Sequence, residues 1–243
     1  MPDLESAEFA AYTDAFRAAP EICKIAELGG ATCMLLPGLG ARIFNRVLGL
    51  RSTEPLDEIA AFFGDEPWWV SDSHALGPEL EQRGFTADYG WMKFSRGVGP
   101  REARSDLDVR AVGPARAGDF ARVVAEGYQM PEWTRPLAAR VVGRAGWSCY
   151  VAYDDGEAAG AGALFVHDSV GWLGYAATLT EYRGRGAQSA ILAARIEDAR
   201  KQGCATVVTE TGALEEGRPS NSYRNIVRAG FREAGVRANY RAP

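Results

Sequence analysis

The segment Leu179-Thr180-Glu181-Tyr182-Arg183-Gly184-Arg185-Gly186-Ala187-Gln188-Ser189-Ala190-Ile191-Leu192 joins an apolar run to a long helical pattern through a turn with two glycines. Glycine removes the side chain where a backbone must approach a ligand closely, and the first-turn N–H groups of the following helix lack intrahelical acceptors. Those amides and the helix dipole favour a negative group, so the stretch reads as a cradle for a diphosphate. Arg183 and Arg185 flank it with planar forks suited to phosphate oxygens. Two other phosphate loops fit poorly. The signature G-x-x-x-x-G-K-[ST] is absent, because none of the lysines Lys24, Lys93 and Lys201 follows a suitable glycine. A dinucleotide fingerprint requires glycine where Ser189 stands, and it opens a parallel sheet. Gly38-Leu39-Gly40 precedes a strand pattern and reads as a turn.

Working outward, alternation and helical spacing predict strands over 107–112, 148–153, 160–166 and 171–178, with helices over 117–127 and 136–142. Turns at Asp154-Asp155-Gly156 and His167-Asp168-Ser169 make the last three strands an antiparallel meander that feeds the cradle. A helix over 187–202, a strand over 205–211, a short helix over 220–229 and a strand over 235–241 follow. The first part repeats this order more faintly, with helices over 7–18, 56–63 and 76–83 and strands over 22–27, 31–36, 42–50 and 68–71. Leu80-Glu81-Gln82-Arg83-Gly84-Phe85 echoes Ile226-Val227-Arg228-Ala229-Gly230-Phe231: each helix ends in Gly-Phe before a closing strand, which points to duplication. The Gly/Pro-rich, charged stretch 95–105 reads as a linker and divides the chain into 1–100 and 105–243.

The 243 residues are 47% hydrophobic and 24% charged, which suits one large core or two ordinary ones and excludes disorder. No stretch approaches the roughly 20 apolar residues of a membrane helix. The start, Met1-Pro2-Asp3-Leu4-Glu5, is acidic where a secretory signal is basic, so a cytoplasmic location is expected. Cys23, Cys33, Cys149 and Cys204 never form C-x-x-C, and the only histidines are His74 and His167, so no metal site is expected and the thiols read as buried and free. The net charge of −5 splits into −7 over residues 1–100 and +2 over 101–243. An acidic first half argues against nucleic acid as a partner, and the small basic excess of the second suits a compact anion.

Arg183-Gly184-Arg185-Gly186-Ala187-Gln188 resembles the signature R/Q-x-x-G-x-G/A of the GNAT superfamily of acyl-CoA-dependent N-acyltransferases, matching its Arg and first glycine. Gln188 departs from the final Gly/Ala. The resemblance extends over the order of elements from about 107 to 241. It implies an α+β (mixed α/β) fold: two GNAT-like domains, each a mostly antiparallel central sheet with helices on both faces and a splay between its fourth and fifth strands. It further implies that acetyl-CoA, or another short acyl-CoA, lies in the splay of the second domain. There the backbone near Leu179 and Thr180 pairs with the pantetheine arm, and Arg183, Gly184, Arg185, Gly186, Ala187, Gln188 and Ser189 hold the diphosphate. The acceptor is an unidentified amine.

The family's tyrosine acid sits four residues before the Gly-Phe, where this sequence has Ile226; Tyr223, one turn earlier, is a substitute, or else a packed core residue. Glu210, within Val207-Val208-Thr209-Glu210-Thr211, is the candidate base, with a solvated outward Glu210 as the other reading. Glu132 and Trp133 are candidates for the acceptor loop, Trp68, Trp69 and Trp91 for pocket walls or core, and Cys149 is a weak nucleophile candidate. The first half lacks a cradle: Arg51-Ser52-Thr53-Glu54-Pro55 stands where the glycine turn belongs, so it reads as a degenerate copy. Two other functions remain open, a non-catalytic acyl-CoA sensor and acyl-CoA decarboxylation or hydrolysis. The oligomeric state is undetermined.

Overall fold

The computed structural model describes residues 5–103, 105–214 and 221–243. The first half runs α1 (Ser6–Ala18), β1 (Lys24–Leu28), β2 (Ala31–Leu35), β3 (Arg46–Leu48), α2 (Leu56–Phe63), β4 (Trp69–Asp72), α3 (Gly77–Gln82) and β5 (Thr86–Gly97). The second runs β6 (Asp108–Val112), α4 (Ala117–Gly127), α5 (Pro136–Ala139), β7 (Trp147–Asp154), β8 (Glu157–His167), β9 (Val170–Thr178), α6 (Ala187–Lys201), β10 (Thr206–Gly212), α7 (Asn221–Arg228) and β11 (Arg232–Arg241). The helices form where apolar residues recur at helical spacing: Leu56, Ile59 and Phe63 bury one stripe of α2, and Phe120, Val123 and Val124 one stripe of α4. The meander turns as its sequence predicts, with Asp155, Gly156, Asp168 and Ser169 all at positive φ, as two-residue hairpin loops require.

Among the described residues all strands join one 11-stranded sheet in the order β1-β2-β3-β4-β11-β5-β10-β9-β8-β7-β6. Neighbours are antiparallel except β3–β4 and β9–β10, one parallel pair in each half. The mixed α/β class with a mostly antiparallel sheet agrees with the sequence reading. The halves also exchange strands: β5 lies between β10 and β11, and β11 lies between β4 and β5. The two Gly-Phe helix ends close alike. Phe85 N–H donates to Leu80 O and Gly84 N–H to Glu81 O; Phe231 N–H donates to Ile226 O and Gly230 N–H to Val227 O. Gly84 and Gly230 both adopt the left-handed conformation, at φ 84° and 82°.

Three sequence expectations change. The helix expected over 136–142 ends at Ala139, and the chain turns over 140–143. Residues 95–97, read as linker, belong to β5, because ladders on both sides outweigh a loop-like composition. The strand expected over 42–50 contracts to Arg46–Leu48: residues 41–45 turn, and the buried Asn45 side chain accepts the Leu36 N–H at 2.9 Å. The largest core is shared between halves: Ala11, Phe16, Met34 and Leu48 pack with Phe120, Val151, Trp172 and Val208 on the sheet face covered by α1, α4 and α5. Leu192, Ile196, Val207 and Tyr223 pack on the opposite face, beneath α6 and α7. Among the described residues no helix is long and apolar enough to cross a membrane.

Residues 105–243 expressed without 1–100 leave β10 and β11 with no strand between them. The expected result is aggregation or non-cooperative thermal unfolding by circular dichroism, with co-expression of 1–100 restoring one sharp transition.

Candidate active site

β9 and β10 pair only over Val170–Thr206, Gly171–Val207 and Trp172–Val208, and then part. Three features hold the opening. Thr209 Oγ1 donates to Leu173 O at 2.8 Å, at the last point of contact. Beyond it β9 bulges at Tyr175, which has φ 52°. The buried Arg195 of α6 then donates from Nη1 to Gly174 O and Ala163 O, each at 3.1 Å. Burial lowers the Arg195 pKa to about 10, which leaves the guanidinium charged at neutral pH.

The cradle sits at the end of β9. Gly184 and Gly186 have φ 82° and 83°, and Gly186 is the left-handed N-cap of α6, with no side chain capping the helix. A Cβ at Gly184 would meet no atom within 4 Å, so the turn faces open space. Buried Thr178 Oγ1, at the free end of β9, has no partner. Open glycine, uncapped amides and an orphaned hydroxyl together suit an acyl-CoA diphosphate and arm. The arginines divide differently from the sequence expectation. Arg185 is held by Asp154 through two bonds of 2.6 and 2.8 Å, so its fork is committed to the β7–β8 turn and only its backbone faces the cradle. Arg183 is exposed, with Nε 3.4 Å from Thr178 O. Ser189 Oγ accepts from Arg101 at 2.9 Å, and Leu179 is buried with its N–H bonded to Ala159 O. Thr180 opens a short 3₁₀ turn; Ala187 and Gln188 begin α6.

The first half has no counterpart to this cradle. Its α2 is entered through Pro55, which lacks an N–H and packs so closely on Gly29 that a Cβ there would lie 2.4 Å from the ring.

Glu210 lies where β10 leaves β9, on the face covered by α1, and its side chain is 8% exposed. The outward, solvated alternative is thus corrected. The carboxylate accepts from Tyr12 Oη at 2.9 Å and from Trp172 Nε1 at 3.2 Å, and Lys93 Nζ stands 3.6 Å away. Lys93 also pairs with Glu8, which takes a 2.7 Å bond from Arg237 Nη2. Burial lifts the Glu210 pKa and the charge of Glu8 pushes the same way, against Lys93, Arg237 and Arg46. Burial acts on Glu8 too, but Lys93, Arg237 and Arg46 outweigh it and hold its pKa at about 2.

Tyr223 is placed less favourably for chemistry. Its ring packs edge-on against Phe94, and its hydroxyl donates to Glu233 on β11, across β5 from the opening. It stands on the opposite sheet face from Glu210. Cys149 is buried with its pKa pushed up to about 12, which leaves no thiolate for nucleophilic work. Glu132 is exposed and paired with Arg135; Trp133 is exposed. Trp68 belongs to the core beneath α2, stacked on Phe63, while Trp69, Tyr89 and Trp91 form a ring series. Among the described residues no cluster of three or more His, Cys, Asp or Glu is arranged to hold a metal.

The sequence reading missed Tyr12, Glu8, Lys93 and Trp172. Signals existed: Glu8 and Tyr12 lie four apart on the alanine face of α1, and Lys93 interrupts the apolar run of β5.

The comparisons with known proteins agree with this mixed α/β fold and its mostly antiparallel sheet. Residues 119–219, within the second half, match the model of the acetyltransferase (GNAT) family. The chain is similar to a GCN5-related N-acetyltransferase from Kribbella flavida (TM-score 0.67, 15% identity, 98% of this chain and 96% of that one). It is similar also to one from Sphaerobacter thermophilus (TM-score 0.62, 15% identity, 98% and 90%). A tandem GNAT protein from the clavulanic acid biosynthesis pathway, solved without AcCoA, aligns with TM-score 0.61 and 14% identity over 99% and 95%. At these identities the likeness is one of fold. No curated protein matches the sequence.

Removing one partner from the buried cluster leaves uncompensated charge. Lys93→Met is expected to lower stability by about 3–5 kcal/mol in urea denaturation. Glu8, with its pKa depressed from 4.5 to about 2, contributes stability that is present above pH 4.5 and lost as pH falls toward 2. The urea midpoints of wild type and Glu8→Gln should therefore converge as pH is lowered through that window.

Proposed function

We propose that the protein transfers an acetyl or short acyl group from acyl-CoA to the amine of a small molecule or peptide. The observation that carries this reading is the cradle at Gly184 and Gly186 opening onto the β9–β10 splay with Glu210 at its inner end. The amides of residues 184–189 bind the diphosphate, with Arg183 as an exposed cation beside them. The thioester is what acyl-CoA supplies when bound. Glu210 takes a proton from the attacking amine as nitrogen bonds to the acyl carbon and the C–S bond breaks. Tyr223 is turned toward Glu233, so the departing thiolate draws its proton from solvent. The acceptor approaches from the side of α4 and α5, where Phe44, Val124, Tyr128, Met130, Leu137 and Tyr175 line a small apolar pocket. Four free, buried cysteines suit a cytoplasmic location. We take residues 1–100 as a degenerate copy without cofactor binding and 105–243 as the acyl-CoA-binding domain.

Isothermal titration should show binding of acetyl-CoA and CoA, and Gly186→Glu should abolish it, since it places a carboxylate at the diphosphate and strains a left-handed residue. With an amine panel and acetyl-CoA, thiol release should fall about 100-fold or more in Glu210→Gln while CoA affinity holds. The engagement of Tyr223 with Glu233 also suits an acyl-CoA sensor; turnover with any amine excludes that reading.

A further inference from the structure

We propose that Tyr12, a residue of the half that has no cradle, is a positioning residue for Glu210. With the Glu8–Lys93–Arg237 network beside it, it holds the carboxylate at the point where β9 and β10 part. This rests on the reading of Glu210 as base.

The geometry leaves Tyr12 little freedom. The Arg46 guanidinium carbon lies 3.9 Å from the centroid of its ring on one side, and the Trp172 ring meets it edge-on at 5.1 Å. A ring clamped between a cation and an indole carries its hydroxyl in a fixed direction, here onto Glu210 Oε1 at 2.9 Å. Trp172 Nε1 takes the second oxygen at 3.2 Å, so the carboxylate is tied at both oxygens. One tie comes from β9 across the opening and the other from the first half of the chain. Each is a donor to the charged form.

The charged groups around the carboxylate come from every packed element. Glu8 lies one turn before Tyr12 on α1, Arg46 on β3, Lys93 on β5 and Arg237 on β11; Tyr128, after α4, faces it from the second half. Lys93 is shared between Glu8 and Glu210, so Glu8 both repels the Glu210 charge and draws the ammonium away from it. Removing the Tyr12 donor must therefore disfavour the Glu210 carboxylate, and removing the Glu8 charge must favour it. The opposite signs separate this role from a general loosening of the fold.

The titration at the centre of the test needs no acceptor. The full chain is labelled with carboxyl-¹³C glutamate, the Glu210 resonance is assigned by its loss in Glu210→Gln, and its pH titration is followed in wild type, Tyr12→Phe and Glu8→Gln. Tyr12→Phe keeps the ring between Arg46 and Trp172, so the fold is retained. The expected result is a midpoint raised by roughly half a unit to one unit in Tyr12→Phe and lowered in Glu8→Gln. An unmoved midpoint in Tyr12→Phe, or shifts of the same sign in both variants, overturns the proposal. Thiol release separates the two readings. A Glu210→Gln variant that turns over at the wild-type rate overturns the base assignment itself. A slow Glu210→Gln beside an unmoved Tyr12→Phe titration overturns only the role of Tyr12.

Discussion

β5 is an interior strand: its ladder to β11 covers Thr86 to Ser95, and its ladder to β10 covers Trp91 to Gly97. A strand from the first half thereby separates β10 from β11 of the second, while β11 separates β4 from β5. Neither half's strands form a continuous sheet without the other half, and backbone groups in such a position carry the full cost of going unpaired. The continuous sheet brings α1 onto the face where β9 and β10 part, and it allows residues about 200 positions apart, Tyr12 and Glu210, to share a hydrogen bond.

The same exchange sets the first half beside the splay, where its inner face carries Glu8, Tyr12, Arg46 and Lys93. At the entry to α2, Pro55 packs on Gly29 and supplies no amide. Burying such groups is unfavourable for stability unless each is paired, and here carboxylates and cations alternate around one cluster. A carboxylate in so buried a position requires this kind of compensation, because burial raises the Glu210 pKa and the cations beside it act against that shift.

Much of the second half was legible in the sequence. The meander follows from strict alternation interrupted by Asp-Gly and Asp-Ser, and the cradle from two glycines ahead of a helical period. These are local signals, because turn conformation and helix start depend on neighbouring residues. Arg185 was misread for the opposite reason: its type suits phosphate, but Asp154, 31 residues away, occupies the fork once the β7–β8 turn folds beside the cradle. Tyr223 shows the same limit, since its partner Glu233 lies on a strand whose neighbours the sequence does not reveal.

The sequence by itself determined the class of the fold, the two Gly-Phe helix ends at Gly84-Phe85 and Gly230-Phe231, and the glycine turn that opens α6, each written in a few adjacent residues. Only the tertiary structure decided that the stretch over 95–97 is strand, that the halves exchange their last strands, and that Glu210 is buried against Tyr12 and Trp172. Strand order and burial are set by which distant segments meet, and hydrophobic pattern specifies the face of a strand but not its neighbour.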